Sequence, residues 1–201
     1  MNNETSLKNI YIFVFVIGVA VLSPAATANS CNEQSPNLIA LGEGYYELEN
    51  EYIPTVDEKN QLENLFRQLE GDWLGDLIFK DCKGSVGEPR EEYQDATLEV
   101  DIELDSAGNL NIHAEKTFAE DNVLRLENLE LLNGFWIYDL NMVADNHFVF
   151  IEKSRRNNVN AGARLVETRY EIIADQSSLS MQRVTYINGY YASQEEWQLF
   201  R

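Results

Sequence analysis

The chain is expected to fold as an all-β domain: an antiparallel up-and-down β-barrel of about eight to nine strands with one short helix before it. Three observations predict this. From Asp72 onward apolar residues recur at every second position, the period of a half-buried strand. The runs follow one another closely, with turn residues and no helical pattern between them, which favours a meander, and their even spacing favours closure over a sandwich. The one stretch with helical spacing lies ahead of them all and ends at Gly71.

That stretch opens at Thr55-Val56-Asp57-Glu58, a capping box in which the Thr hydroxyl accepts from an orphan amide and the Glu reaches back. Leu62, Leu65, Phe66 and Leu69 share one face, predicting a helix over 56–70 with Gly71 as its terminator. Two placements stay open for its apolar face: across an open end of the barrel, or on the outer wall.

Trp73, Leu77 and Phe79 lie on one side of the first run, with Gly75 leaving room for a neighbour's close approach. Asp95 to Asp105 alternates without a break. Ala96, Leu98, Val100, Ile102 and Leu104 stand on one side and an acid or Thr at each position between them, as a long strand with one wet face requires. The row of acids reads as a solvated wall, since alternating strand acids do not wrap a calcium ion. After Ser106-Ala107-Gly108 come Leu110, Ile112 and Ala114, with His113 on the polar face. Leu124 and Leu126 then give way to Leu129 and Leu131, a parity switch that predicts a β-bulge at Glu127-Asn128. Asn133-Gly134 is a hairpin signal. Phe135 to Tyr138 and Phe148 to Ile151 are apolar on both faces, so an overlying element, the N-terminal arm or the helix, should cover them outside. Arg155 to Asn160 reads as a wide polar loop, and Val166, Thr168, Tyr170 and Ile172 alternate on the next run.

The last two runs, Leu179 to Ile187 and Tyr191 to Arg201, join around Asn188-Gly189-Tyr190. A two-residue loop would set Leu179 opposite Gln198 and mix the faces. A three-residue loop sets Leu179 opposite Leu199, Met181 opposite Trp197 and Arg183 opposite Glu195. Matched apolar pairs favour the second register, because a slip of one flips every side chain. That register carries a charged pair onto the core face, where it must be paired to be tolerated.

The chain's beginning has another character. Met1 to Asn9 holds one base, Lys8; Ile10 to Leu22 is unbroken and apolar; Ala26-Thr27-Ala28 supplies small residues. This is the order of a secretory signal peptide cleaved after Ala28. The apolar run is shorter than the ~20 residues a membrane span needs. An uncleaved anchor and a lipid-modified Cys31 are the alternatives. The expected organisation is therefore a signal peptide over 1–28, a polar N-terminal arm over 29–54, and a helix-plus-barrel domain over 55–201, in the periplasm or secreted. The formal charge of −19 is unchanged by the cleavage, which removes one acid and one base. Such a charge argues against nucleic acid and anionic lipid surfaces as partners, and no further long apolar run calls for membrane insertion after cleavage. Cys31 and Cys82 are the only cysteines, and in an oxidising compartment the pair is expected to form a disulfide.

The motifs of nucleophilic, phosphate-binding and zinc chemistry do not occur. Two histidines far apart make no zinc pattern, and no cofactor is expected. A carboxylate pair for acid–base work stays open, since acids are abundant.

Gly71-Asp72-Trp73 at the start of the first strand, after a short helix, together with Arg201 at the end of the last, resembles the lipocalin-like (calycin) barrels. The resemblance covers Leu62 to Arg201. It implies that Trp73 plugs the closed end, that Arg201 lies over its ring, and that the barrel binds a small, largely apolar molecule without chemistry. Small haem-binding barrels begin similarly but use a late histidine, and none follows His147 here. The residues expected to line a ligand site are Trp136, Tyr138, Phe150, Tyr170, Arg183 and Glu195. A filled core and an open pocket are both compatible with such aromatics. Beside the binding protein stand two other classes: a barrel enzyme of the cyclase, isomerase or lyase kind, and an envelope assembly partner with a filled core.

Overall fold

A computed structural model describes residues 31, 33–36, 52–85, 88–131, 137–158 and 162–201, with the backbone alone at 85, 138, 155–158 and 162–164. The signal segment, the hairpin Asn133-Gly134 and Trp136 lie outside the described residues. Helix α1 (Val56–Leu69) is followed by β1 (Gly71–Ser85), β2 (Glu88–Leu104), β3 (Leu110–Phe118), β4 (Leu124–Leu131), β5 (Ile137–Ala144), β6 (His147–Asn158), β7 (Gly162–Ala174), β8 (Ser178–Ile187) and β9 (Tyr190–Phe200). All ladders are antiparallel, and the strand order is β4-β3-β2-β1-β9-β8-β7-β6-β5.

The first and last strands pair, from Leu74 opposite Phe200 to Asp81 opposite Ser193. The sheet curls into a half-barrel whose two edges are β4 and β5. The seam expected to close the barrel, β1 on β9, is closed, and the opening lies between the middle strands. Gly75 sits at the closed seam. A Cβ there would collide with the Gln198 carbonyl oxygen and come within 2.8 Å of its carbon, so only glycine lets β9 approach this closely.

Alternation builds the concave core. Trp73, Leu77, Leu98, Val100, Ile102, Ile112, Phe148, Phe150, Ile172, Met181, Trp197 and Leu199 are buried in it. The four apolar residues of α1 join the same core, with Phe66 against Phe148 at 5.9 Å between ring centres. The helix thus fills one end of the curl, the first of its two expected placements. Its capping box forms as expected: the Glu58 amide donates to Thr55 Oγ1 at 3.3 Å, and the Thr55 amide donates to Glu58 at 2.8 Å.

Arg201 ties three elements at that end. Its guanidinium lies 4.4 Å from the centre of the Trp73 ring. It also donates to the carbonyls of Gln68 (2.7 Å), Glu70 (2.9 Å) and Gln176 (3.0 Å). Trp73 Nε1 donates to the Leu69 carbonyl at 2.8 Å. The orphan carbonyls at the helix C-terminus are therefore met by the first strand's indole and the chain's last residue.

Three sequence expectations are corrected. Arg155 to Asn158 are not loop but the end of β6, which stays paired with β7 as far as Asn158 opposite Gly162. No bulge interrupts β4: the β3–β4 register runs unbroken from Leu110 opposite Leu131 to Thr117 opposite Leu124. Leu124 and Leu126 simply point outward and are exposed, while Leu131 is buried. Nor is the β8–β9 loop three residues long. Asn188 (φ 51°) and Gly189 (φ 83°) form a two-residue turn of the kind that needs positive φ at both positions. An extra residue, Ala192, lies between the pairs Tyr186–Tyr191 and Thr185–Ser193. This bulge restores the register expected from apolar matching, with Leu179, Met181 and Arg183 opposite Leu199, Trp197 and Glu195.

The convex face carries a second, smaller core of Val184, Tyr186 and Tyr191 with Cys82 packed against it. The N-terminal arm lies here. Cys31 and Cys82 form a disulfide, Gln34 bridges Tyr190, and the Tyr191 amide donates to the Glu33 carbonyl at 2.9 Å. Ser35 Oγ donates to the buried carboxylate of Glu167 at 2.5 Å, which pairs with the buried Lys153 at 3.5 Å. Burial lowers the Lys153 pKa, and Glu167 opposes that fall. At the other margin the Tyr52 amide donates to the Ile137 carbonyl on β5 at 2.7 Å.

Replacing Arg201 by Ala removes one cation–π contact and three carbonyl partners. Because the residue is exposed, the expected cost is roughly 1–2 kcal/mol, a fall in melting temperature of about 2–8 °C for a domain of this size. Arg169→Ala, on the exposed outer face of β7, should leave the melting temperature unchanged. Thermal unfolding followed by circular dichroism checks the difference, and equal effects contradict the clamp.

Candidate functional site

Along the concave face the side chains change character from one end to the other. Beneath α1 they are apolar throughout. Toward the β8–β9 turn they become Thr168, Thr185, Ser193, Gln94, Glu152 and Asp81, all half-buried. The boundary is marked by four charged residues from four strands: Lys116 on β3, Glu127 on β4, Arg183 on β8 and Glu195 on β9.

These four form a closed ring of alternating charge. Arg183 Nη2 donates to Glu195 Oε1 at 2.7 Å, and Nη1 donates to Glu127 Oε1 at 2.8 Å. Lys116 Nζ donates to Glu195 Oε2 at 2.8 Å and pairs with Glu127 Oε2. Side-chain exposures are 6% for Lys116, 8% for Glu195, 14% for Arg183 and 26% for Glu127, so the open side of the ring is the Glu127–Arg183 edge. Trp197 Nε1 donates to Glu195 Oε2 at 2.8 Å, and the Lys116 ammonium lies 4.9 Å from the centre of the Trp197 ring. Both Glu195 oxygens thus carry charge-assisted bonds.

Electrostatics follow from this packing. Burial by itself raises the Glu195 pKa; Arg183, Lys116 and the two hydrogen bonds outweigh it and hold the carboxyl below its ordinary value. For Arg183, burial acts against the charged form, but the two glutamates more than offset it and the pKa is raised. Tyr170 is raised as well, chiefly by burial and then by Glu152, with the nearby Arg183 acting the other way. Every resolved shift in the ring favours the charged state.

Of the residues expected to line a site, the fold brings four together: Phe150, Tyr170, Arg183 and Glu195. Tyr170 stands opposite Arg183 on β7, and its ring stacks on Phe150 at 4.5 Å, which stacks on Phe148 at 5.7 Å. This aromatic ladder backs the guanidinium. Phe150 is fully buried within it and serves as core. Tyr138 is described by its backbone alone, as the extra residue between the pairs Ile137–Glu152 and Asp139–Ile151. Trp136 lies outside the described residues. His113 and His147 are on the outer face, bonded to Asn128 and Glu171, each at 2.9 Å.

Lys116 and Glu127 were not singled out from the sequence, although a signal existed. Lys116 shares parity with Leu110, Ile112 and Ala114, and Glu127 shares parity with Leu129 and Leu131. Assuming a bulge at Glu127 hid the second.

Glu195→Gln should expose the ring's worth. It leaves two buried cations facing one carboxylate, at an expected cost of about 3 kcal/mol near neutral pH. The folded pKa of Glu195 lies below its unfolded value. Its stabilisation is therefore full above the ordinary glutamate value of about 4.3 and is lost as pH falls through the lower folded value. Denaturant melts from pH 7 to 2.5 should show a shallower acid-side loss of stability in the variant than in the native protein.

No protein-family model matches the chain, and no curated protein matches it. Among solved structures the chain is similar to a protein of unknown function from the DUF3598 family of Nostoc punctiforme, with a TM-score of 0.30 and 13% identity. The likeness covers 68% of this chain and 48% of that one, so it spans about half of that protein's length.

Proposed function

We propose that this chain is an exported, lipocalin-like binding protein. It holds a small, largely apolar molecule at the polar-lined end of its concave face. The observation that carries this reading is the division of that face: the end under α1 is buried and apolar, while the other is half-buried and lined by hydroxyl, amide and carboxylate groups, with Arg183 at its boundary. The ligand's polar end would meet the Arg183 guanidinium and the Tyr170 hydroxyl. Its apolar body would lie against Phe79 and the methyl groups of Thr168 and Thr185. Convergent polar groups at one end of a largely apolar concavity are what small-molecule sites have in common. Arg183 and Glu195 are held in their charged forms by their neighbours, which suits fixing a ligand's orientation more than shuttling a proton. The Cys31–Cys82 disulfide is consistent with an oxidising compartment.

A second reading, an envelope assembly partner with a filled core, draws on the packing of α1 into the apolar end. Native mass spectrometry of protein purified from its own host separates the two. A binding protein should retain a small-molecule mass, released on unfolding and absent from the isosteric variant Thr168→Val/Thr185→Val. The mature chain should begin at Asn29. A native mass equal to that of the bare polypeptide, in repeated gentle preparations, overturns the binding reading and favours the filled core.

A further inference from the structure

The outer face of β1 to β4 is left uncovered by any described element, and its surface is not a simple acidic wall. Register places its outward residues in rows across the strands. One row reads Phe200, Leu74, Glu99, Glu115, Leu126; the next reads Asp72, Asp101, His113, Asn128. A groove of about 510 Å³ runs over both, lined by Asp72, Leu74, Glu99, Asp101, Glu115 and Leu126 among others. Its apolar ends are open to water, Leu74 being 62% and Leu126 71% exposed, and Phe200 beside Leu74 in the row is 56% exposed. Between them two like-charged pairs stand directly opposite one another, Asp72 with Asp101 and Glu99 with Glu115. Opposed like charges destabilise a ladder, and no Lys or Arg lies in either row.

We propose that this groove is a docking surface for a basic, amphipathic segment of another protein. A lysine or arginine would sit over the Glu99–Glu115 pair and apolar side chains on Leu74 and Leu126. Charge complementarity selects this occupant. A second copy of the chain carries −19 itself and would meet carboxylates with carboxylates. Residues 37–51 of the same chain hold four acids and no base, so they do not fit. A bound metal ion is not indicated, since no group of three metal-ligating side chains occurs among the described residues. The row from Phe200 to Leu126 crosses five strands, roughly 19 Å at the usual strand spacing, the reach of a short peptide segment. The outer edge of β4, which carries Leu126, is unpaired among the described residues and offers backbone groups to an added strand.

The test uses the mature protein and a fluorescein-labelled ten-residue peptide of alternating lysine and leucine, followed by anisotropy at fixed salt. Two groove variants, Glu99→Gln/Glu115→Gln and Leu126→Ser, are compared with Glu88→Gln/Glu120→Gln, which removes two exposed acids elsewhere. The expected result is at least tenfold weaker binding for each groove variant and less than twofold for the control. Because the first variant relieves like-charge repulsion, its melting temperature should hold or rise, so lost binding is not lost fold. Equal weakening in both charge variants shows bulk attraction only and overturns the proposal. Unchanged binding by Leu126→Ser does the same, as does displacement of the peptide by spermidine at the peptide's own concentration.

Discussion

A sheet that curls without joining its two edges must hold its wings together through the interior, and here the ring of Lys116, Glu127, Arg183 and Glu195 makes that link. Lys116 and Glu127 belong to the β3–β4 wing; Arg183 and Glu195 belong to the β8–β9 side. Two of the four ion pairs, Lys116 with Glu195 and Arg183 with Glu127, run between these groups across the concavity. Each is nearly or partly desolvated, where attraction is stronger than at a surface but desolvation is costly. Alternation in sign around the ring resolves the balance: every charge has two opposite neighbours. Removing any one member leaves two like charges sharing a single opposite neighbour, which is why the ring demands all four positions together.

The opposite end is held by a different device with the same geometric task. Trp73 and Arg201 place an indole and a guanidinium where α1 runs out of hydrogen-bond partners. The helix can enter the barrel's end only if those carbonyls find donors, since no further turn of helix exists to supply them. The clamp also draws the β1–β9 seam shut, and Gly75 permits the close contact this needs. The apolar end is thus a packed plug. On the far side of the charged ring the side chains are only half-buried.

Most of this architecture was legible because it rests on local rules. Strict alternation along 95–105 marked β2 and its wet face, and the capping box marked the start of α1. Apolar matching alone set the β8–β9 register, so Arg183 and Glu195 were placed together before any contact was seen. The reason offered for that register was wrong: a bulge at Ala192 does what a longer loop was expected to do. Bulges carry little sequence signature, and the one that seemed marked, at Glu127-Asn128, does not exist, because Leu124 and Leu126 are exposed rather than inward. That Lys116 on β3 and Glu127 on β4 meet this pair was not legible for another reason. They approach across the hollow of the sheet, not along a ladder, and no spacing rule connects residues 56 or 79 positions apart.

The same alternation that fills the core writes the chain's charge onto its outside. Inward charges cancel in pairs, since an unpaired one would be expelled by the low-dielectric interior. Outward charges face no such rule, because water screens them, and acids accumulate there with little cost to folding. Exposed leucines face no such tolerance: each leaves apolar area in water, about 25 cal/mol per Å² of burial forgone. Leu74, Leu126 and Phe200 in register with opposed carboxylates therefore set the β1–β4 face apart from an ordinary solvated wall. A folding sequence can carry such a row only at a loss, and a partner that covers the leucines while neutralising the acids recovers both terms at once.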